Sequence, residues 1–268
     1  MMSTDTLNNN NFITGYLPVN GLQMYYEIHG KENNDPLVLI HGGGSTLNTS
    51  FGKLIPVLSK NNKIIAVELQ AHGRTSDRDA PESFEQDAED VVTLLHQLQI
   101  NKASFFGFSN GGTTAMQIGI QHPQIVSKLI LASTVYKREG LLPGFFEGMA
   151  GATIDHMPQV LKTAFLEVNP NPGQLENMFR KDKQRMLDFK DWKDEDLQSI
   201  KAPTLIINGD RDVILAAHSV EMAKLIENSR LMILPSEHGS YMGVLESPAP
   251  SDDLFHMTMN IIEDFLQG

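Results

Sequence analysis

Ala103-Ser104-Phe105-Phe106-Gly107-Phe108-Ser109-Asn110-Gly111-Gly112 is the stretch that decides the fold of this chain. An apolar run suited to a buried strand ends in a serine flanked by glycines, and a helix-compatible stretch, Asn110 to Gln121, follows at once. This is a G-x-S-x-G pattern. A strand that turns into a helix around a single residue leaves no room for bulk two positions before or after the turn, which is why glycine is needed at 107 and 111. The turn lifts the serine oxygen above the strand end, with a helix N-terminus beneath it, where it can attack a carbonyl.

Working outward, other apolar runs also end in residues that carry chemistry. Pro36-Leu37-Val38-Leu39-Ile40 leads into His41-Gly42-Gly43-Gly44, and Pro203-Thr204-Leu205-Ile206-Ile207-Asn208-Gly209 leads into Asp210-Arg211-Asp212. Leu231-Met232-Ile233-Leu234 is followed by Pro235-Ser236-Glu237-His238-Gly239. The chain order is Ser, Asp, His, each just after a strand. On these residues the chain resembles the α/β-hydrolase family over nearly its whole length, and within it the small esterase, enol-lactonase and cofactor-free haloperoxidase branch. The resemblance implies an α/β fold, a mainly parallel doubly wound sheet with a short helical cap. Residues 1–135 and 201–268 would form the core and 136–200 the cap insertion.

Composition bounds the function. The 268 residues suffice for one α/β domain with a sizeable interior. A net charge of −12 argues against binding a phosphate backbone, so nucleic acid is not an expected partner. No apolar run reaches the roughly 18 residues that span a bilayer, so no membrane association is expected. The polar, asparagine-rich start, Met1 to Asn11, lacks the features of a signal peptide and reads as a frayed tail. The absence of cysteine removes disulfides, thiolate catalysis and cysteine-bound metal, and fits a cytoplasmic protein.

The remaining elements alternate. Phe12 to Val19 should pair with Leu22 to Ile28 as an antiparallel hairpin about Asn20-Gly21. A helix is expected over Phe51 to Leu58, a strand over Ile64 to Leu69, and a helix over Ser83 to Leu98 with Ser83 and Gln86 as a capping box. A strand over Leu129 to Ser133 follows the helix under Ser109. From about Tyr136 to Ile200 the alternation stops, and Pro143, Pro158, Pro170 and Pro172 divide an aromatic- and methionine-rich stretch into short helices. The family places its cap here, and most of these side chains should pack it onto the core. A helix near Ser219 to Glu227 and another near Leu254 to Leu266 resume the pattern, which implies a mainly parallel sheet covered on both faces.

The chemistry follows from the roles required. Ser109 is the candidate nucleophile, and an unaided hydroxyl needs a base to take its proton. His238 is the candidate base, placed after the last strand as in the family, in preference to His41, His72, His218 and His256. Asp210 and Asp212 both follow one strand. The family's G-x-x-D arrangement, counted from Gly209, selects Asp212 as the acid that orients the histidine and leaves Asp210 to order the loop, although Val213 to Ala216 lacks the family's frequent proline. Gly43 and Asn110 would supply the backbone N–H groups of an oxyanion hole. Aspartate is absent from position 109, so dehalogenase and epoxide hydrolase chemistry of this fold is not expected. Neither a dinucleotide fingerprint, a Walker motif nor H-E-x-x-H occurs, so no cofactor and no metal are expected. The reading is hydrolysis of a small, partly apolar carboxylic ester or lactone. Carbon–carbon hydrolysis or perhydrolysis on the same residues, or ligand binding without turnover, are the alternatives.

Overall fold

Each of these apolar runs is a strand of one sheet; the inner ones bury both of their faces, whereas the run at 231–234 forms an edge and leaves Leu231 and Ile233 exposed. The computed structural model describes residues 6–7, 12–31 and 35–268. In chain order the strands and helices are β1 (Thr6–Leu7), β2 (Ile13–Val19), β3 (Leu22–His29), β4 (Leu37–Ile40), α1 (Leu47–Phe51), α2 (Ile55–Leu58), β5 (Ile64–Val67), α3 (Phe84–Gln97), β6 (Ala103–Phe108), α4 (Asn110–Gln121) and β7 (Val126–Ala132). They continue with α5 (Phe145–Gly151), α6 (Gln159–Val168), α7 (Pro172–Asp188), α8 (Asp194–Gln198), β8 (Thr204–Gly209), α9 (Ala216–Leu225), β9 (Ser229–Leu234) and α10 (Asp252–Gln267).

The strand order is β1-β2-β3-β5-β4-β6-β7-β8-β9. Strands β5, β4, β6, β7, β8 and β9 run parallel, and β1, β2 and β3 add an antiparallel edge. Successive residues of the parallel strands go to opposite faces. Val38, Ile40, Ile65, Val67, Phe105 and Leu131 pack against Ala88, Val91 and Leu95 of α3 and Ala115, Met116 and Ile118 of α4. Leu37, Leu39, Ile64, Ala66, Phe106 and Ile130 pack against Leu47 and Phe51 of α1, Leu58 of α2, and Met259 and Ile262 of α10. Two apolar layers, one per face, are what a doubly wound sheet requires.

Four expectations need correction. Thr6 and Leu7 are not frayed: they pair with Thr14 and Ile13. The rest of the Met1 to Asn11 expectation lies outside the described residues. The helix expected over 51–58 is two. Thr46 caps α1, with Thr49 N–H donating to Thr46 Oγ1 and Thr46 N–H donating to Thr49 Oγ1 (2.8 Å), while Pro56 lies in the first turn of α2. The capping box at Ser83 is half formed: Gln86 N–H donates to Ser83 Oγ at 3.1 Å, but the Gln86 amide turns to Asp90. Between β7 and β8, α7 is a helix of 17 residues rather than a short one, because Pro172 sits at a position where a helix tolerates it and starts α7 instead of breaking it.

Helix α7 is fastened to the sheet side of the molecule by side chains four residues apart. Asn177 and Lys181 donate to Asp77, Lys181 also donates to the carbonyls of Arg78 and Ala80, and Arg185 donates to Asp87 of α3 at 2.5 Å. Apolar contacts support them: Phe189 meets Phe84 edge-on, and Met178 and Phe165 are fully buried beside Met157 and Leu161.

Candidate active site

The turn after β6 is the structural origin of the site. Ser109 adopts φ 53° and ψ −122°, a conformation costly for any residue with a side chain. The crossing is tight enough that a Cβ on Gly107 would overlap the Gly111 carbonyl, and one on Gly111 would overlap the carbonyls of Ile40 and His41. The Ser109 N–H is anchored on the Ala132 carbonyl at 2.8 Å, and its own carbonyl accepts from Gly112 and Thr113 in the first turn of α4.

The structure brings Ser109, His238 and Asp212 together. His238 Nδ1 lies 2.6 Å from Asp212 Oδ1, and Nε2 lies 3.1 Å from Ser109 Oγ. An ionised carboxylate only accepts, so Nδ1 carries the proton and Nε2 presents a lone pair to the serine hydroxyl. Asp212 is buried, with a side chain 0% exposed. Burial pushes its pKa up. Electrostatic attraction to the adjoining His238 ring and hydrogen bonds from His238, the Ile214 N–H and Ser133 outweigh that effect, and the net shift is downward. Ser133 is a partner that sequence reading missed. Its Oγ donates to Asp212 Oδ2 at 2.5 Å and touches the buried Tyr241 hydroxyl at 2.9 Å. Asp210 is exposed, and its carboxylate accepts from the Ser236 N–H at 2.9 Å, tying the loop after β8 to the loop after β9.

The glycine loop after β4 sits beside the serine. Among the described residues, neither the Gly43 N–H nor the Asn110 N–H has a hydrogen-bond partner, which leaves both available to a ligand oxygen. The neighbouring Gly44 N–H is taken by His72 Nε2 at 3.2 Å. His72 donates from Nδ1 to the Gln70 carbonyl, while His41 donates from Nδ1 to the Gly42 carbonyl and accepts from the Leu69 N–H at 3.0 Å. Burial lowers the pKa of His72 and takes that of His41 down to about 3, so both rings stay neutral braces of the two loops. His218 is likewise occupied, accepting from the Tyr136 N–H, with burial lowering its pKa to about 4. His256 lies exposed on α10.

The least expected feature is a charged group from α7. The Asn110 amide donates to Asp182 Oδ1 at 3.1 Å, and Arg185 donates to the same oxygen. Behind Arg185 lie Asp87 and the buried Glu82, whose two carboxyl oxygens have no hydrogen-bond partner among the described residues. Met157 and Leu161 approach the other side of the loop, 3.4 and 3.9 Å from where a Cβ of Gly44 would be. Among the described residues, no group of three or more His, Asp or Glu side chains is arranged to hold a metal ion, and no helix is long and apolar enough to cross a membrane.

The chain is similar to known proteins in sequence and in fold. A family model described as alpha/beta hydrolase fold matches residues 35–157. The chain is 27% identical over 222 residues to a dihydrolipoyllysine-residue acetyltransferase component of an acetoin cleaving system from Pseudomonas putida. That match covers 81% of this chain but 57% of the relative's length, so the chain spans little more than half of that protein. It is 26% identical to a 2-hydroxy-6-oxo-2,4-heptadienoate hydrolase from Pseudomonas putida, covering 77% of this chain and 83% of that one. The crystal structure of an enol-lactonase from Burkholderia xenovorans LB400 superposes with a TM-score of 0.72 at 23% identity, covering 94% of this chain and all of that one, which shows a common fold.

Proposed function

The chain belongs to the alpha/beta hydrolase fold family, and from that premise we propose that it hydrolyses a small carboxylic ester or lactone through an acyl-enzyme. The observation that carries this reading is the continuous line of hydrogen bonds from Asp212 through His238 to Ser109 Oγ, at 2.6 and 3.1 Å. Ser109 Oγ attacks the carbonyl carbon as His238 Nε2 takes its proton. The carbonyl oxygen, now an oxyanion, is held by the free N–H groups of Gly43 and Asn110. The C–O bond breaks, and the leaving oxygen takes the proton from His238. Water then attacks the acyl carbon with His238 again as base, and the Ser109 oxygen recovers its proton as the acid departs. Asp212 holds the ring's tautomer and stabilises the imidazolium formed in each half. Residues 136–200 act as the cap: Met157 and Leu161 supply an apolar wall beside the glycine loop, suited to a small, partly apolar acyl group.

A second reaction is kept in view by the relative named as a 2-hydroxy-6-oxo-2,4-heptadienoate hydrolase. The same residues could add water across a carbon–carbon bond beside a carbonyl. A panel of p-nitrophenyl esters from acetate to octanoate, with simple lactones, tests the proposal. Turnover by the wild type that vanishes in Ser109→Ala, with unchanged thermal unfolding, is the expected result. Folded wild type inert on every ester and lactone would reject it in favour of carbon–carbon hydrolysis or ligand binding.

A further inference from the structure

Asp182 is placed where a simple esterase has no use for a negative charge. A Cβ on Gly43 would lie 2.5 Å from Asp182 Oδ2 and 2.5 Å from Asn110 Nδ2, so the carboxylate and the amide meet directly over the glycine whose N–H faces the reacting carbonyl. Oδ1 is satisfied by Asn110 and Arg185, whereas Oδ2 has no hydrogen-bond donor among the described residues. The side chain is 15% exposed. Burial pushes the Asp182 pKa up, but the charge of Arg185 and the hydrogen bonds from Arg185 and Asn110 bring it below the ordinary carboxylate value, so the group is ionised. Arg185 cannot cancel it fully, because the same guanidinium also serves Asp87.

A carboxylate beside the oxyanion donors opposes the charge that develops when Ser109 attacks. For a neutral substrate this is a handicap, and for an anionic one it is a larger handicap. A substrate that brings its own cation removes it. An ammonium on the α or β carbon of the acyl group would donate to Oδ2, neutralise Asp182, and leave the oxyanion facing only its two N–H donors. Resting on the roles of Ser109 and Gly43 given above, we propose that Asp182 selects esters whose acyl group carries an ammonium close to the scissile carbonyl and rejects those carrying a carboxylate there. The selection acts on the transition state as well as on binding, since the charge that is opposed exists only after attack. Unit charges within a few ångströms of one another in a partly buried site interact strongly enough for about 10- to 100-fold in rate, allowing for the offset from Arg185.

The experiment compares three benzyl esters of similar size at pH 6.5: L-alanine benzyl ester (cation), benzyl propionate (neutral) and monobenzyl succinate (anion), with benzyl alcohol release as the readout. Wild type should give kcat/KM in the order cation, neutral, anion, with about tenfold or more at each step. Asp182→Asn, which keeps an acceptor for Asn110, should lower the rate with the cation and raise it with the anion. A purely structural residue would lower all three alike, and that outcome overturns the proposal. If the variant does not fold, the wild-type order decides: equal rates, or a preference for the anion, overturn it. Wild type that turns over none of the three, and no p-nitrophenyl ester, would instead sink the hydrolase reading on which this one rests.

Discussion

Replacing Asp212 by Asn tests the choice between two aspartates that follow the same strand. In the proposed reaction His238 takes the serine proton, which places a positive ring 2.6 Å from Asp212 Oδ1, inside a site where that carboxylate is wholly buried. With an effective dielectric of about 20, the attraction between unit charges at that distance is about 6 kcal/mol, or between 10⁴- and 10⁵-fold in rate. An amide loses this attraction. It also has only one oxygen for donors that now reach both carboxylate oxygens, the Ile214 N–H at 3.0 Å and Ser133 Oγ at 2.5 Å. If its NH₂ turns toward Nδ1, the ring must take the tautomer whose Nε2 cannot accept from Ser109. Asp210 offers a contrast: it is exposed, and an amide oxygen can still accept from the Ser236 N–H. The kcat/KM for p-nitrophenyl acetate should therefore fall about 10⁴-fold in Asp212→Asn and by no more than about threefold in Asp210→Asn, with thermal unfolding recorded for both. Loss in Asp210→Asn equal to or greater than that in Asp212→Asn, in folded protein, refutes the reasoning.

Two further outcomes can be checked on the same protein. Gly43→Ala drives a methyl into Asn110 Nδ2 and Asp182 Oδ2 at 2.5 Å, displacing one of the two proposed oxyanion donors; kcat should drop about 100- to 1,000-fold with smaller change in KM, and near-normal kcat would show that Gly43 is not a donor. Burial pushes the Glu82 pKa from 4.5 to about 9, with Arg185 opposing and Asp182 and Asp87 adding to the shift. A carboxyl whose folded pKa is raised stabilises the fold fully below the unfolded value and loses that contribution as pH climbs toward the folded one. Glu82→Gln, neutral throughout, should thus gain Tm over wild type by an amount that widens from pH 5 to pH 9, at about 2–4 °C per kcal/mol for a chain of this size; a gap that narrows with pH would contradict the assignment.

Most of the sheet was legible because burial on two faces forces continuous apolar runs, as in Leu37 to Ile40 and Ala103 to Phe108, both fully buried. The bounds of α4 match expectation for a local reason: the glycines around Ser109 permit only one place for the chain to turn. Ser109, His238 and Asp212 were legible because each follows such a run. What escaped is non-local. Ser133 enters the sequence reading only as the end of a strand, and nothing near it in sequence announces that it donates to Asp212 across 79 residues. The charges of α7 look like a solvated face, since Lys181 and Arg185 find Asp77 and Asp87 about a hundred residues away. Asp182 was missed in the same way: a lone acid amid lysines and arginines on a polar helix carries no local mark of the glycine loop it faces.

The backbone at Ser109 sets two kinds of selection against each other. At φ 53° and ψ −122° glycine would be more comfortable than serine, by a margin on the order of 1–3 kcal/mol. Pressure for stability alone would drift this codon toward glycine, and the proposed role of the hydroxyl supplies the opposing pressure that would hold it at serine. A lineage of this fold relieved of its reaction should lose this residue early and gain heat tolerance in doing so, which makes position 109 a record of whether an ancestor still worked for its living.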